Sequence, residues 1–159
     1  MKKMFLLVAF MATAMVQTGF AQNNHAAVHT PALLTAYYDV KDALVAGDAA
    51  LAASKAGQLV KAINSTDAQI LPKASKDSLL ADAAKIAGDK DLKNQRACFS
   101  GLSNQMIALV KTTKLSAEPI YQQYCPMKKS SWLSNEKAIK NPYYGNAMLT
   151  CGKVTETIM

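Results

Sequence analysis

The stretch Asp91–Leu109, DLKNQRACFSGLSNQMIAL, decides how the rest of the chain is read. Leu92, Gln95, Phe99, Leu102, Met106 and Leu109 recur at alternating steps of three and four. On a helix that spacing draws one continuous stripe over about five turns. Asp91 opens the segment, and Arg96 and Cys98 stand beside the stripe. Met106 holds an ordinary core position, where a flexible thioether fills space.

Three shorter patterns of the same kind precede it. Between Lys73 and Ala87, Leu79, Leu80, Ala83, Ile86 and Ala87 face one way, and Gly88 stops the run. Before that, Ala52, Ala56, Leu59, Val60 and Ile63 form an alanine-rich face that favours close packing. Asp48 supplies its N-cap, and Asn64-Ser65-Thr66-Asp67 breaks it. The first pattern runs from Ala32 to Ala46, with Leu33, Tyr37, Val40 and Leu44 as its stripe, widened by Leu34, Tyr38 and Val45. Gly47 ends it, and the short Gly47-Asp48 link predicts a tight antiparallel hairpin of the first two helices. Four amphipathic helices on short links predict a mainly all-α fold, an up-and-down four-helix bundle.

Beyond Thr113 the helical period ends. Pro119–Cys125 reads as extended, with Ile120, Gln122 and Tyr124 on one face and Tyr121, Gln123 and Cys125 on the other. Val154 and Thr155 favour a strand, so 147–158 pairing with 119–125 predicts a short β-ribbon packed on the bundle. The rest of this C-terminal segment is expected to be irregular.

The N-terminus reads as an export signal. Lys2 and Lys3 precede the uncharged, mostly apolar Met4–Val16, and Gly19-Phe20-Ala21 offers small residues at a cleavage site. Residues 1–21 are therefore expected to be a signal peptide, residues 22–31 a flexible lead-in carrying His25 and His29, and residues 32–159 a single helical domain with a sulfur-rich segment at 119–158. Nothing else approaches the ~20 apolar residues of a membrane span. No cysteine follows the signal directly, so no lipid anchor is expected. The expected location is the periplasm, with no membrane span after signal cleavage.

The formal charge of +7 does not point to nucleic acid. Arg96 is the only arginine, the lysines are dispersed, and Lys128-Lys129 is the only pair outside the signal. Readers of nucleic acid cluster their basic groups and use arginine forks. Enzymatic constellations are lacking too. Both histidines lie in the lead-in, no glycine-rich phosphate loop occurs, and no Cys-x-x-Cys pair is present.

The distinctive chemistry is sulfur. Cys125-Pro126-Met127 opens the C-terminal segment and Met148-Leu149-Thr150-Cys151-Gly152 closes it. Thiolate and thioether donors suit a soft monovalent ion, so Cys125, Met127, Met148 and Cys151 are the candidate ligands, with copper(I) or silver(I) as the ion. In a helix Met148 and Cys151 would share a face; in a strand they would oppose each other. Trp132, Tyr143 and Tyr144 are candidates to shield such an ion from water. The same cysteines can instead close a disulfide in an oxidising compartment, leaving Cys98 over, buried on the fourth helix. On that reading the chain is a non-metal interaction or structural module of the cell envelope. The residues alone leave both readings open.

Cys125-Pro126-Met127, Trp132-Leu133-Ser134, Asn141-Pro142-Tyr143-Tyr144-Gly145 and Met148-Leu149-x-Cys151-Gly152 follow Arg96-x-x-Phe99 and Leu102-Ser103 in this order. In that pattern the chain resembles a domain of unknown function common in bacterial envelope proteins, over about residues 33 to 158. That domain occurs alone behind a signal peptide, or fused to the C-terminus of membrane-fusion subunits of copper and silver efflux systems. The resemblance implies periplasmic heavy-metal handling, with a heavy-metal efflux system as partner. Without a membrane-fusion body, the expected role is a free-standing binder or a soluble partner of such a pump.

Overall fold

The computed structural model describes residues 32–159. The expected signal peptide, its expected cleavage after Ala21 and the expected lead-in with His25 and His29 lie outside the described residues. Four helices come first: α1 (Ala32–Ala46), α2 (Ala49–Ser65), α3 (Lys73–Gly88) and α4 (Leu92–Thr112). Three strands follow: β1 (Ile120–Cys125), β2 (Ser130–Ser134) and β3 (Lys153–Ile158), with a short 3₁₀ turn at Gly145–Ala147.

The helix ends obey local chemistry. Asp48 accepts from the Leu51 amide at 2.9 Å, and Asp91 accepts from the amides of Lys93 and Asn94 at 2.7 and 3.1 Å. Each carboxylate satisfies donors that the first helical turn leaves free. Gly88 does not stop α3 but is its last residue, with Asp89 as the cap. The expected stripes are the observed core: Leu33, Tyr37, Val40, Leu44, Ala52, Leu59, Ile63, Leu79, Ile86, Phe99, Leu102 and Met106 are all buried. Val45, Val60, Leu80, Ala87 and Leu92 are only partly covered, as edges of their stripes.

Gln95 is the polar member of the α4 stripe, and the structure shows its use. Its amide nitrogen donates to Ala49 O, Asp89 O and Ile86 O at 2.9, 2.8 and 3.3 Å. One buried side chain thus ties the start of α2 and the end of α3 to α4. Lys41 was not legible as a core residue, yet it is 1 % exposed, paired with Asp42 at 2.9 Å.

Helix α1 packs on α2, α2 on α3 and α3 on α4, but α1 and α4 meet only slightly. The C-terminal elements pack there instead, β2 against α4 and the 3₁₀ turn against α1. The sheet has the order β2-β1-β3 and is antiparallel throughout. The expected ribbon of 119–125 with 147–158 is therefore present as β1 and β3, and β2 extends it through a hairpin. A register shift at Gln122/Gln123 changes which residues face inward, so Ile120, Gln123 and Cys125 are the buried members of β1.

An aromatic column joins the two halves. Tyr37 of α1 stacks on Phe99 of α4 at 5.3 Å between centroids, Phe99 meets Tyr143 at 6.0 Å, and Tyr143 meets Trp132 edge-on at 5.9 Å. The Tyr37 hydroxyl pairs with Ser103 Oγ at 2.8 Å and accepts from the Leu133 amide at 3.1 Å. The Tyr143 hydroxyl donates to Ser131 O at 2.6 Å.

Burial pushes the phenols of Tyr37, Tyr38 and Tyr143 well above their ordinary range. Phenols raised on folding add stability that is fully present below the unfolded value of about 10 and is lost above it. Denaturation midpoints are therefore expected to fall steeply above about pH 10, where unfolded tyrosines ionise and folded ones do not. Tyr37→Phe should lose about 1–3 kcal/mol at neutral pH, from the unpaired Ser103 and Leu133 groups, yet show a flatter alkaline limb. Equal alkaline slopes in both proteins would exclude Tyr37 as a contributor.

Candidate functional site

Cys125 is the last residue of β1, and Cys151 directly precedes the run into β3. Because β1 and β3 are antiparallel neighbours, with Tyr124 opposite Lys153, these two cysteines meet across the strand ends. Their sulfurs lie 3.8 Å apart and are not covalently joined. Cys125 is buried and Cys151 half-buried.

The turn after Cys125 is built around these sulfurs. The Lys128 amide donates to Cys125 Sγ at 3.4 Å. Pro126 restricts the backbone before it, and Lys129 closes the turn at φ 55°. Burial, followed by the neighbouring Cys125 sulfur, raises the Cys151 thiol above its ordinary value, and the Met127 amide opposes that rise.

The other wall is the 135–152 segment. Asn141 is fully buried and organises it. Its side-chain amide donates to Cys151 O at 2.7 Å, its backbone amide to Leu149 O at 2.8 Å, and its Oδ1 accepts from the Tyr143 amide at 2.9 Å. Asn141 thereby fixes the backbone of Cys151, a role the sequence reading did not assign. The available signal was Asn-Pro, a pair that starts turns through the Asn side chain. On β1, Gln123 anchors the same segment through its amide nitrogen, at 2.9 Å from Glu136 O. Gly152 admits close approach: a Cβ there would lie 3.0 Å from both Trp132 Cη2 and Tyr124 O.

The four candidate ligands are not equivalent. Cys125 and Cys151 are brought together. Met127 stands in the turn that follows Cys125 and is 63 % exposed. Met148 is half-buried and begins a turn closed by the Cys151 amide on Met148 O at 3.0 Å. That stretch is neither of the two conformations considered for it, helix or strand. Trp132 packs over Gly152, next to Cys151, and Tyr143 meets Trp132 edge-on at 5.9 Å between centroids. Tyr144 lines the neighbouring cleft. Cys98 is half-buried, not buried, and lines a separate groove with Gly88 and Lys90. Among the described residues no three His, Cys, Asp or Glu side chains converge.

Metal–thiolate bonds are about 2.3 Å long, so one ion bridging two sulfurs at the observed 3.8 Å would subtend about 110°. The pair therefore has the spacing for a shared ion. Closure to a disulfide requires the sulfurs to approach to about 2.05 Å.

Compared with known families, residues 33–118 match the one described as a protein of unknown function (DUF3347). The matched span holds the four helices and ends before β1, short of the residue 158 to which the motifs had suggested the resemblance runs. No curated protein and no solved structure matches the chain.

Proposed function

The chain belongs to the family of proteins of unknown function DUF3347, and we propose that this member is a non-enzymatic periplasmic binder of copper(I) or silver(I). The ion sits between the thiolates of Cys125 and Cys151. One observation carries the reading: the two sulfurs lie 3.8 Å apart, with the Lys128 amide donating to Cys125 Sγ at 3.4 Å. A soft ion prefers such donors. Met127 and Met148, from the two turns flanking the pair, are the added thioether donors. A copper or silver efflux system is the partner that the family resemblance suggests.

The same distance supports a second reading, in which the pair is a disulfide that staples an envelope interaction module. Titration separates the two. Reduced protein under anaerobic conditions is expected to withdraw one copper(I) per chain from a chromogenic chelator. Cys125→Ser and Cys151→Ser should each abolish that competition, while Met127→Leu and Met148→Leu should weaken it about tenfold or less. Metal displaces the Cys151 proton, so affinity should rise about tenfold per pH unit for each proton released between pH 6 and 8. Failure of the reduced wild type to compete, with its fold intact by circular dichroism, ends the metal reading.

A further inference from the structure

Beside the thiol pair, a cleft of about 530 Å³ runs between the start of α4 and the Cys125–Ser130 turn. Lys93 and Arg96 line it from α4, Lys128 from the turn, and Tyr143 and Tyr144 from the segment that returns to β3. Asp91 is the single acid on its wall, and its carboxylate is already committed to the amides of Lys93 and Asn94.

We propose that this cleft is a binding site for a small organic oxyanion, a carboxylate or phosphate ester carried on a planar or apolar body. Three observations carry the assignment. First, Lys93, Arg96 and Lys128 come from two separate elements, and among the described residues none of them forms an ion pair. Second, Arg96 is fixed in place. Its Nη2 donates to Leu44 O at 2.8 Å, and Gly145 leaves the space that the guanidinium occupies. Its Nε is buried with no partner. A fixed planar fork matches an oxyanion better than a mobile ammonium does. Third, the two tyrosines give the cleft an aromatic wall, and its volume falls within the range of small-molecule sites.

Lys128 belongs to both places, with its amide on Cys125 and its side chain on the cleft. The assignment does not rest on metal binding.

The test is calorimetric titration of the reduced chain at low ionic strength with phenyl phosphate and, separately, with benzoate. Saturable one-to-one binding of either is expected, and the arm that binds tells phosphate from carboxylate. Combined Lys93→Gln and Lys128→Gln should weaken it at least tenfold. Both positions are at the surface, so the variant is expected to fold. Cys125→Ser with Cys151→Ser should leave it unchanged, which separates this site from the metal reading. No saturable binding of either probe, or equal affinity in the double lysine variant, would overturn the proposal.

Discussion

Replacing Gly145 with alanine is expected to lower folding stability by about 3 kcal/mol, combining left-handed strain with overpacking. Gly145 sits at φ +54°, and a Cβ there would lie 2.5 Å from Arg96 Nη2 and 2.8 Å from Val45 O. The backbone carbonyl cannot step aside without moving the end of α1. The guanidinium can move only by giving up Leu44 O, a carbonyl in the last turn of α1 that also accepts from the Gly47 amide at 3.3 Å. The substitution thus strikes one of the contacts through which the C-terminal segment grips the bundle. Gly57→Ala is the matched control, since a Cβ there meets nothing and lies inside α2. It should raise stability by about 0.5–1 kcal/mol through helix propensity. Chemical denaturation of the three proteins checks both. A Gly145→Ala midpoint equal to wild type would mean that the 141–147 loop is not clamped on α1.

Oxidation of the thiol pair should have the second large effect. Diamide takes two electrons and two protons from Cys125 and Cys151 as the S–S bond forms. In the chain-entropy picture, closing a loop of this length adds about 3–4 kcal/mol of stability. The neighbouring strands are already in register, so the native state need change little. Oxidised protein should therefore melt at a higher temperature than reduced protein, and dithiothreitol should reverse the shift. On the metal reading, oxidation also removes both thiolates, so copper(I) competition should vanish with the disulfide and return with reduction. Cys98 should stay reactive to a thiol reagent throughout, because it lies in a separate groove. A disulfide that includes Cys98, or metal binding that survives complete oxidation, would contradict this account.

The helical half was legible for simple reasons. Repeats such as Leu33-Tyr37-Val40-Leu44 report burial directly, since one helix face is the only arrangement that covers them together. Asp48 and Asp91 mark helix starts because free amides there need an acceptor within three residues, an interaction wholly local in sequence. Lys41 escaped the reading for the opposite reason. Its burial depends on what packs over α1, and nothing in the periodicity of α1 shows that. The three-stranded sheet was half legible. The alternation in β1 was visible, but the shift at Gln122/Gln123 exchanged its inward residues, and β2 is too short to announce itself.

By itself the sequence determined the four helices, the Asp48 and Asp91 caps, and the inventory of sulfur in the last third of the chain. Those properties depend on neighbours within one or two helical turns. Only the tertiary structure decided that Cys125 and Cys151 meet while Met127 faces solvent, and that Arg96 is pinned between α1 and Gly145 beside two unpaired lysines. Those facts arise from strand register and from a loop folded back on a distant helix. Such contacts are set by the balance of packing over the whole molecule, and no local spacing encodes them.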